Sequence, residues 1–189
     1  PGGTASNVIA YICRANVSLS ILSTFASTTL AIILTPFYIY LLADQTINID
    51  LGGLMKSTFY IIFLPVTSGF IINIFFKKNR KILNFFPVFS EITIAFIISI
   101  IFAVNFDNLI NISYKMIFGV ILHNLLGLIL ALKVTQILNY PEDVKKTVAI
   151  EVAMQNSGLG MTLALMHFSK IVALPSAIFS LWHNISAAG

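Results

Sequence analysis

Five long stretches of the chain are almost entirely apolar, and each is long enough to cross a lipid bilayer. A membrane-spanning helix needs about 20 mainly apolar residues. Only 10% of the residues are charged, against roughly 25% in soluble domains. The sequence therefore predicts an all-α integral membrane protein. The predicted spans are Val17–Ala43, Leu54–Phe76, Pro87–Phe106, Met116–Leu138 and Val148–Phe168, with partial spans at Thr4–Ile12 and from Pro175 onward.

Other classes of protein fit this pattern poorly. A soluble helical core would not place its basic residues on alternate connections between five apolar runs. Strands of a β-barrel would be about 10 residues long with strict alternation, whereas these runs are unbroken. No basic patch with interleaved aromatic residues indicates nucleic-acid binding. The single cysteine, Cys13, excludes an internal disulfide and a multi-cysteine metal site.

The basic residues predict the orientation of the chain in the membrane. Lysine and arginine favour cytoplasmic connections, and eight of the 11 basic residues fall on alternate connections. The stretch "KKNRK" (77–81) is therefore predicted to be cytoplasmic, and "DQTINID" (44–50) external. The helix that carries Glu151 then runs from inside to outside.

Polar residues occur at membrane depth in three places. "PGGTASN" (1–7) resists a continuous helix, and broken backbone in a membrane must be buried in protein or line a cavity. A close helix contact through small residues is the alternative.

The second place is a stripe of hydroxyl residues, Ser20, Ser23, Thr24, Ser27 and Thr28, in which Ser20 and Thr24 share a helix face. Hydrogen bonds back to the helix carbonyls are the simpler explanation for that stripe.

The third place is "IEVAMQNSGLG" (150–160), where Glu151 and Gln155 are predicted to share a helix face. A carboxylate inside a membrane needs a proton, a basic residue or a metal cation as its partner. No basic residue lies within the spans at that depth. Because hard cations prefer oxygen ligands, the nearby oxygens favour sodium over zinc or copper. A protonated Glu151 with a local hydrogen bond is the alternative.

Two His-Asn pairs, at residues 123–124 and 183–184, are interpreted mainly as packing residues. No HExxH or GxSxG pattern occurs, so the chain is predicted not to be an enzyme. An intramembrane enzyme built on His123, Glu151 and His183 remains a remote alternative.

Three stretches together resemble the bile acid:sodium symporter family. They are "PGGTASNVIAYICRANVSLS", "AIEVAMQNSGLG" and "ALPSAIFSLWHNIS", and they occur in the family's order. The resemblance implies ten helices in two inverted repeats, with two discontinuous helices that cross near the membrane centre. It places core-domain helices at residues 1–43, panel-domain helices at 44–106 and further core helices at 107–189.

The resemblance also implies the site residues. One sodium ion would be held by Ser6, Asn7, Ser20, Thr24 and Glu151. A second would be held by Glu151 and Gln155, together with the backbone carbonyls of Val152 and Met154. Thr4 and Asn156 would contact the substrate, with His183 and Asn184 as weaker candidates.

The function implied by the resemblance is uptake of an organic anion, bile-acid-like or a small carboxylate, driven by co-transported sodium, with two ions. The protein would be a multi-pass protein of the cell membrane, in contact with lipid and with no obligatory protein partner. A proton-coupled or exporting carrier is the alternative. The chain is also expected to be a fragment that lacks both ends and does not catalyse coupled transport alone.

Overall fold

The computed structural model describes residues 1–3, 5–43, 49–76, 80–110 and 112–188. Within these ranges the fold is all-α, as predicted, with nine α-helices and one short 3-10 helix at Lys170–Ala173. The α-helices are α1 (Ala5–Ile12), α2 (Val17–Ala43), α3 (Leu51–Phe76), α4 (Arg80–Val104), α5 (Phe106–Ile110), α6 (Tyr114–Ile137), α7 (Glu142–Ala153), α8 (Ser157–His167) and α9 (Leu174–Ala188).

Four of the five predicted spans correspond to single helices. Among the described residues, α2, α3 and α6 are long and apolar enough to cross a membrane. The bounds of α2 are those predicted, and α3 begins three residues earlier than expected, at Leu51. Most of the third predicted span lies in α4, which starts well before Pro87, at Arg80, and ends at Val104, two residues before the predicted end. Hydropathy thus located these helices, because lipid-facing helices are apolar on every side.

The fifth predicted span, Val148–Phe168, is not one helix. Helix α7 ends at Ala153, and Met154 leaves the helical region with φ −101° and ψ 83°. Helix α8 begins at Ser157, where the Asn156 side chain accepts a hydrogen bond from the N–H of Leu159. The prediction that Glu151 and Gln155 share one helix face is therefore wrong, because the helix ends between them.

The outer faces of the long helices carry exposed apolar side chains. Ile33 is 60% exposed, Phe70 67% and Leu126 48%. Soluble monomers rarely expose continuous apolar surface on this scale. Because the backbone bonds of each helix are satisfied internally, these faces suit a hydrocarbon environment.

Helix packing holds α7 and α8 on both sides of the break between them. Helix α7 packs against α6 and α2, whereas α8 packs against α3 and α9. One apolar cluster joins α2, α3 and α8 through Ala31, Ile62, Leu159 and Leu163. At the other end, the side chain of Asn16 donates to Asp143 over 3.1 Å and so ties the start of α2 to α7.

The predicted orientation depends on "KKNRK" and "DQTINID", of which residues 77–79 and 44–48 lie outside the described residues. That orientation stays a prediction. The ten-helix inverted repeat and the division into core and panel domains also stay predictions.

Candidate functional site at the crossing of two chain breaks

Two non-helical segments, residues 1–3 and 154–156, cross and pair with each other. Gly2 and Gln155 form an isolated antiparallel bridge. The N–H of Gly3 donates to the carbonyl of Met154 over 2.8 Å, and the N–H of Asn156 donates to the carbonyl of Pro1 over 2.9 Å. Backbone groups released by one break are thus satisfied by the other, as a membrane interior requires. Residues 1–3 are non-helical and α1 begins at Ala5, in agreement with the prediction that "PGGTASN" resists a continuous helix.

The Glu151 carboxylate lies beside this crossing, at the centre of a hydroxyl cluster. Its Oε1 accepts hydrogen bonds from Ser6 over 2.6 Å and from Ser20 over 2.5 Å. Its Oε2 accepts from Thr24 over 2.8 Å. The Ser20 hydroxyl also lies 2.9 Å from Oδ1 of Asn7. The five residues predicted to hold the first sodium ion therefore meet in one cluster, contributed by α1, α2 and α7.

This cluster contains more acceptor oxygens than protons. The Ser6 hydroxyl is fully buried and lies within hydrogen-bond distance of two acceptors, the Gly3 carbonyl at 2.7 Å and Glu151. A hydroxyl has only one proton, so it cannot donate to both at once. The donor set is made of oxygen alone and contains one carboxylate, which suits a hard cation. The residues present thus fit sodium, and they would equally accept an added proton.

Gly2 allows the first chain segment to approach the carboxylate. A Cβ at this position would lie 2.9 Å from Oε2 of Glu151, 3.1 Å from Oγ1 of Thr24 and 3.2 Å from the Cα of Thr24. The N–H of Gly2 also donates to Ser27 over 2.9 Å. The cluster therefore depends on the absence of a side chain at position 2.

The second predicted cation set is only partly assembled. Nε2 of Gln155 lies 3.3 Å from the Val152 carbonyl and 3.3 Å from Nε2 of His123. The Met154 carbonyl already accepts from Gly3. Among the described residues no hydrogen bond joins Gln155 to Glu151, whose carboxylate is directed to Ser6, Ser20 and Thr24. The second ligand set stays a prediction.

A cavity of about 720 Å³ opens next to the crossing, between α2, α6, α8 and α9. Gln155, Asn156 and Ser157 form its end at the break, and His123 also lines it. Of the predicted substrate contacts, Asn156 is therefore placed at the cavity. Its side-chain oxygen caps α8 over 3.0 Å, a role that the sequence argument missed. Thr4 lies outside the described residues.

His183 and Asn184 are not part of the cavity lining. His183 is buried and packs edge-on against Phe179 at a ring distance of 5.2 Å. The side chain of Asn184 donates to the Ser180 carbonyl within its own helix. Their proposed contacts with substrate stay predictions.

Comparison with known proteins agrees with the three sequence motifs. A profile of the sodium bile acid symporter family matches residues 1–112. The chain belongs to this family. The uncharacterized sodium-dependent transporter YocS of Bacillus subtilis (strain 168) is 40% identical over 189 residues, which is 100% of the chain and 59% of the relative. The probable chloroplastic sodium/metabolite cotransporter BASS1 of Arabidopsis thaliana is 37% identical over 187 residues, 98% of the chain and 47% of the relative.

Membership of the sodium bile acid symporter family confirms the resemblance inferred from the motifs. The chain is a membrane protein of a sodium-dependent transporter family. It spans about half the length of the curated relatives that it matches.

Asn124 stabilises the break between α7 and α8, a role that the sequence did not predict. Its buried side chain donates to the Ala153 carbonyl over 2.8 Å and accepts from the indole N–H of Trp182 over 3.1 Å. Ala153 is the last residue of α7, so its carbonyl has no place in a helical ladder. Asn124 on α6 and Trp182 on α9 thus hold the end of α7 in place at the break. The sequence shows that Asn124 is an amide within an apolar helix, which indicates a need for a hydrogen-bond partner. It does not show that the partner is the carbonyl of Ala153.

We expect Asn124→Ala in the full-length protein to lower the free energy of unfolding by about 1–3 kcal/mol, because the buried Ala153 carbonyl and the partly buried Trp182 indole N–H lose their partner. Asn184→Ala is the control for stability, since it removes only a bond within α9. Thermal unfolding of the two variants in detergent would measure the difference. Equal stability of Asn124→Ala and the native protein would contradict the role assigned to Asn124.

Proposed function

We propose that the whole protein is a secondary active transporter that couples sodium entry across the cell membrane to uptake of an organic anion. The observation that carries this proposal is the cluster around Glu151, with its excess of acceptor oxygens, next to a substrate-sized cavity. Small-molecule cavities in proteins are typically about 300–1,000 Å³, and this one is about 720 Å³. Family membership favours sodium as the cation.

The break between α7 and α8 brings the proposed sodium site close to the proposed anion site. Glu151 is on the α7 side of the break, and Asn156 caps α8 on the other side. The N-terminus of a helix presents N–H groups and a partial positive charge, which favour an anion. A cation at Glu151 would hold residues 1–3 against residues 154–156, and these residues form one end of the cavity. Cation binding therefore shapes the place where the anion binds, which is the physical basis proposed for coupling.

Two sodium ions for each anion are proposed. The first is held by the cluster around Glu151. The second uses Gln155 with the carbonyls of Val152 and Met154, and its assembly requires the carboxylate to serve both ions. A single negative charge shared by two cations reduces the repulsion between them.

Proton coupling is the second candidate, and the same cluster supports it. An added proton on Glu151 would also relieve the competition between acceptors at Ser6 and Ser20. The two candidates differ in which gradient performs work, so a flux measurement separates them.

The test is uptake of labelled organic acids by the full-length protein in proteoliposomes, with small carboxylates and bile acids as probes. We expect an inward sodium gradient to drive accumulation, and equal sodium on both sides to abolish it. Replacement of sodium by potassium serves as the control for ionic strength. Accumulation driven by a proton gradient without sodium would replace the proposal with proton coupling, and sodium-driven export would reverse the proposed direction.

A further inference from the structure

The cavity contains a cation that the sequence argument did not use. Lys115, an exposed residue near the start of α6, lines it at the end away from the chain break. Among the described lining residues, only Lys115 has a permanently charged side chain. Ser113 caps helix α6 by accepting from the N–H of Lys115 over 3.3 Å, which fixes the backbone at this position. Among the residues that the structure describes, no carboxylate forms a salt bridge with Lys115. Its ammonium group is therefore available to a ligand.

The distance between the two polar ends of the cavity follows from helix α6. Lys115 and His123 are eight residues apart, which corresponds to about 12 Å along a helix axis. His123 contacts Gln155, and Gln155 precedes Asn156 at the break. The cavity therefore has the start of α8 at one end and a lysine about 12 Å away along α6.

The wall between these two ends is mainly apolar. It includes Met116, Val120, Leu159 and Phe179. An apolar wall favours burial of hydrocarbon at roughly 25 cal/mol for each Å² removed from water. Two polar ends with an apolar centre match a molecule that has an acidic group at each end and a carbon skeleton between them.

We propose that the preferred substrates are elongated dianions, in which one acidic group binds at Asn156 and the start of α8 and the second pairs with Lys115. This inference rests on the proposed function, because it assumes that an organic anion occupies the cavity. Lys115 then determines specificity: it selects for a second anionic group at a distance of about 12 Å. A short diacid would not reach both ends, and a monoacid would leave Lys115 without a partner.

The alternative role for Lys115 is an anchor at the membrane interface, where lysine often extends to water. That role affects insertion and predicts no dependence on the number of acidic groups in the substrate. Selectivity among matched acids therefore separates the two roles.

The experiment compares sodium-driven uptake of octanedioate, octanoate and butanedioate by the full-length protein in proteoliposomes. We expect octanedioate to have a KM about tenfold lower than either of the other acids, which corresponds to about 1.4 kcal/mol. In Lys115→Met the ratio of the KM values for octanoate and octanedioate should fall to near one, whereas Lys115→Arg should retain the preference. Lys56→Met is the matched control, because Lys56 lies on α3 and does not line the cavity.

The outcomes distinguish the inference from the proposed function. If the native protein accumulates octanoate with sodium as well as it does octanedioate, or if Lys115→Met keeps the preference, the dianion inference is wrong and sodium coupling stands. If sodium drives accumulation of none of the three acids by the native protein, the dianion inference is also wrong. The wider panel of small carboxylates and bile acids then decides the proposed function separately.

Discussion

Replacing Glu151 with Gln in the full-length protein is expected to abolish sodium-dependent uptake while the protein remains folded and inserted. The substitution keeps the size of the side chain and its ability to form hydrogen bonds. It removes the one carboxylate that accepts from Ser6, Ser20 and Thr24. Hydrogen bonds to a charged group are roughly twice as strong as neutral ones, and the substitution also removes the negative charge that attracts the cation. We therefore expect sodium affinity to fall by about 100-fold or more, equivalent to about 2.7 kcal/mol.

The effect on transport is large because the proposed driving force depends on this site. A tenfold sodium gradient supplies about 1.4 kcal/mol for each ion, and one net charge adds about 2.3 kcal/mol for each 100 mV. With two sodium ions and one monovalent anion the total is roughly 5 kcal/mol, enough for a substrate ratio of several thousand. A dianion carried with two sodium ions moves no net charge, so roughly 3 kcal/mol remains from the two ions. Loss of sodium binding removes this driving force.

Uptake as a function of sodium concentration in proteoliposomes checks this expectation, with the amount of inserted protein measured in parallel. Ser23→Ala is the control, because Ser23 lies in the hydroxyl stripe of α2 and, among the described residues, the hydroxyls that donate to Glu151 are those of Ser6, Ser20 and Thr24. Ser23→Ala should keep native sodium dependence. Native sodium dependence in Glu151→Gln would show that the cation binds elsewhere.

Gly2→Ala is expected to weaken sodium binding by about tenfold or more, although it adds only one methyl group. The added Cβ would lie 2.9 Å from a Glu151 oxygen and 3.2 Å from the Cα of Thr24. The backbone of α2 cannot shift without disturbing its contacts with α3 and α7, so the carboxylate and the Thr24 hydroxyl must separate. Overpacking of this kind typically costs about 1–3 kcal/mol.

Gly69→Ala provides a matched control for this experiment. Among the described residues, nothing lies within 4 Å of a Cβ added at Gly69, and alanine is favoured over glycine within a helix by roughly 0.5–1 kcal/mol. The measurement is the rise in unfolding temperature caused by sodium, compared with the same concentration of potassium. The rise should be normal in Gly69→Ala and strongly reduced in Gly2→Ala. A normal sodium response in Gly2→Ala would mean that residues 1–3 do not form part of the cation site.

The sequence by itself determined the all-α membrane class and the positions of the long helices. Hydropathy is sufficient for this, because a lipid-facing helix must be apolar over about 20 residues whatever its neighbours are. Bounds such as those of α2 therefore agreed with the structure. The three motifs likewise indicated the family by their resemblance to it, and the family match confirmed it.

Only the tertiary structure decided how the polar residues are arranged. Local spacing placed Glu151 and Gln155 on one helix face, but α7 ends at Ala153 because backbone groups of residues 154–156 pair with residues 1–3 instead. That pairing joins segments about 150 residues apart, so no local pattern indicates it. The same holds for the bond from Asn124 to Ala153 and for the place of Lys115 in the cavity. Each depends on which helices pack together, and helix packing in a membrane is set by the fit of side chains rather than by hydropathy.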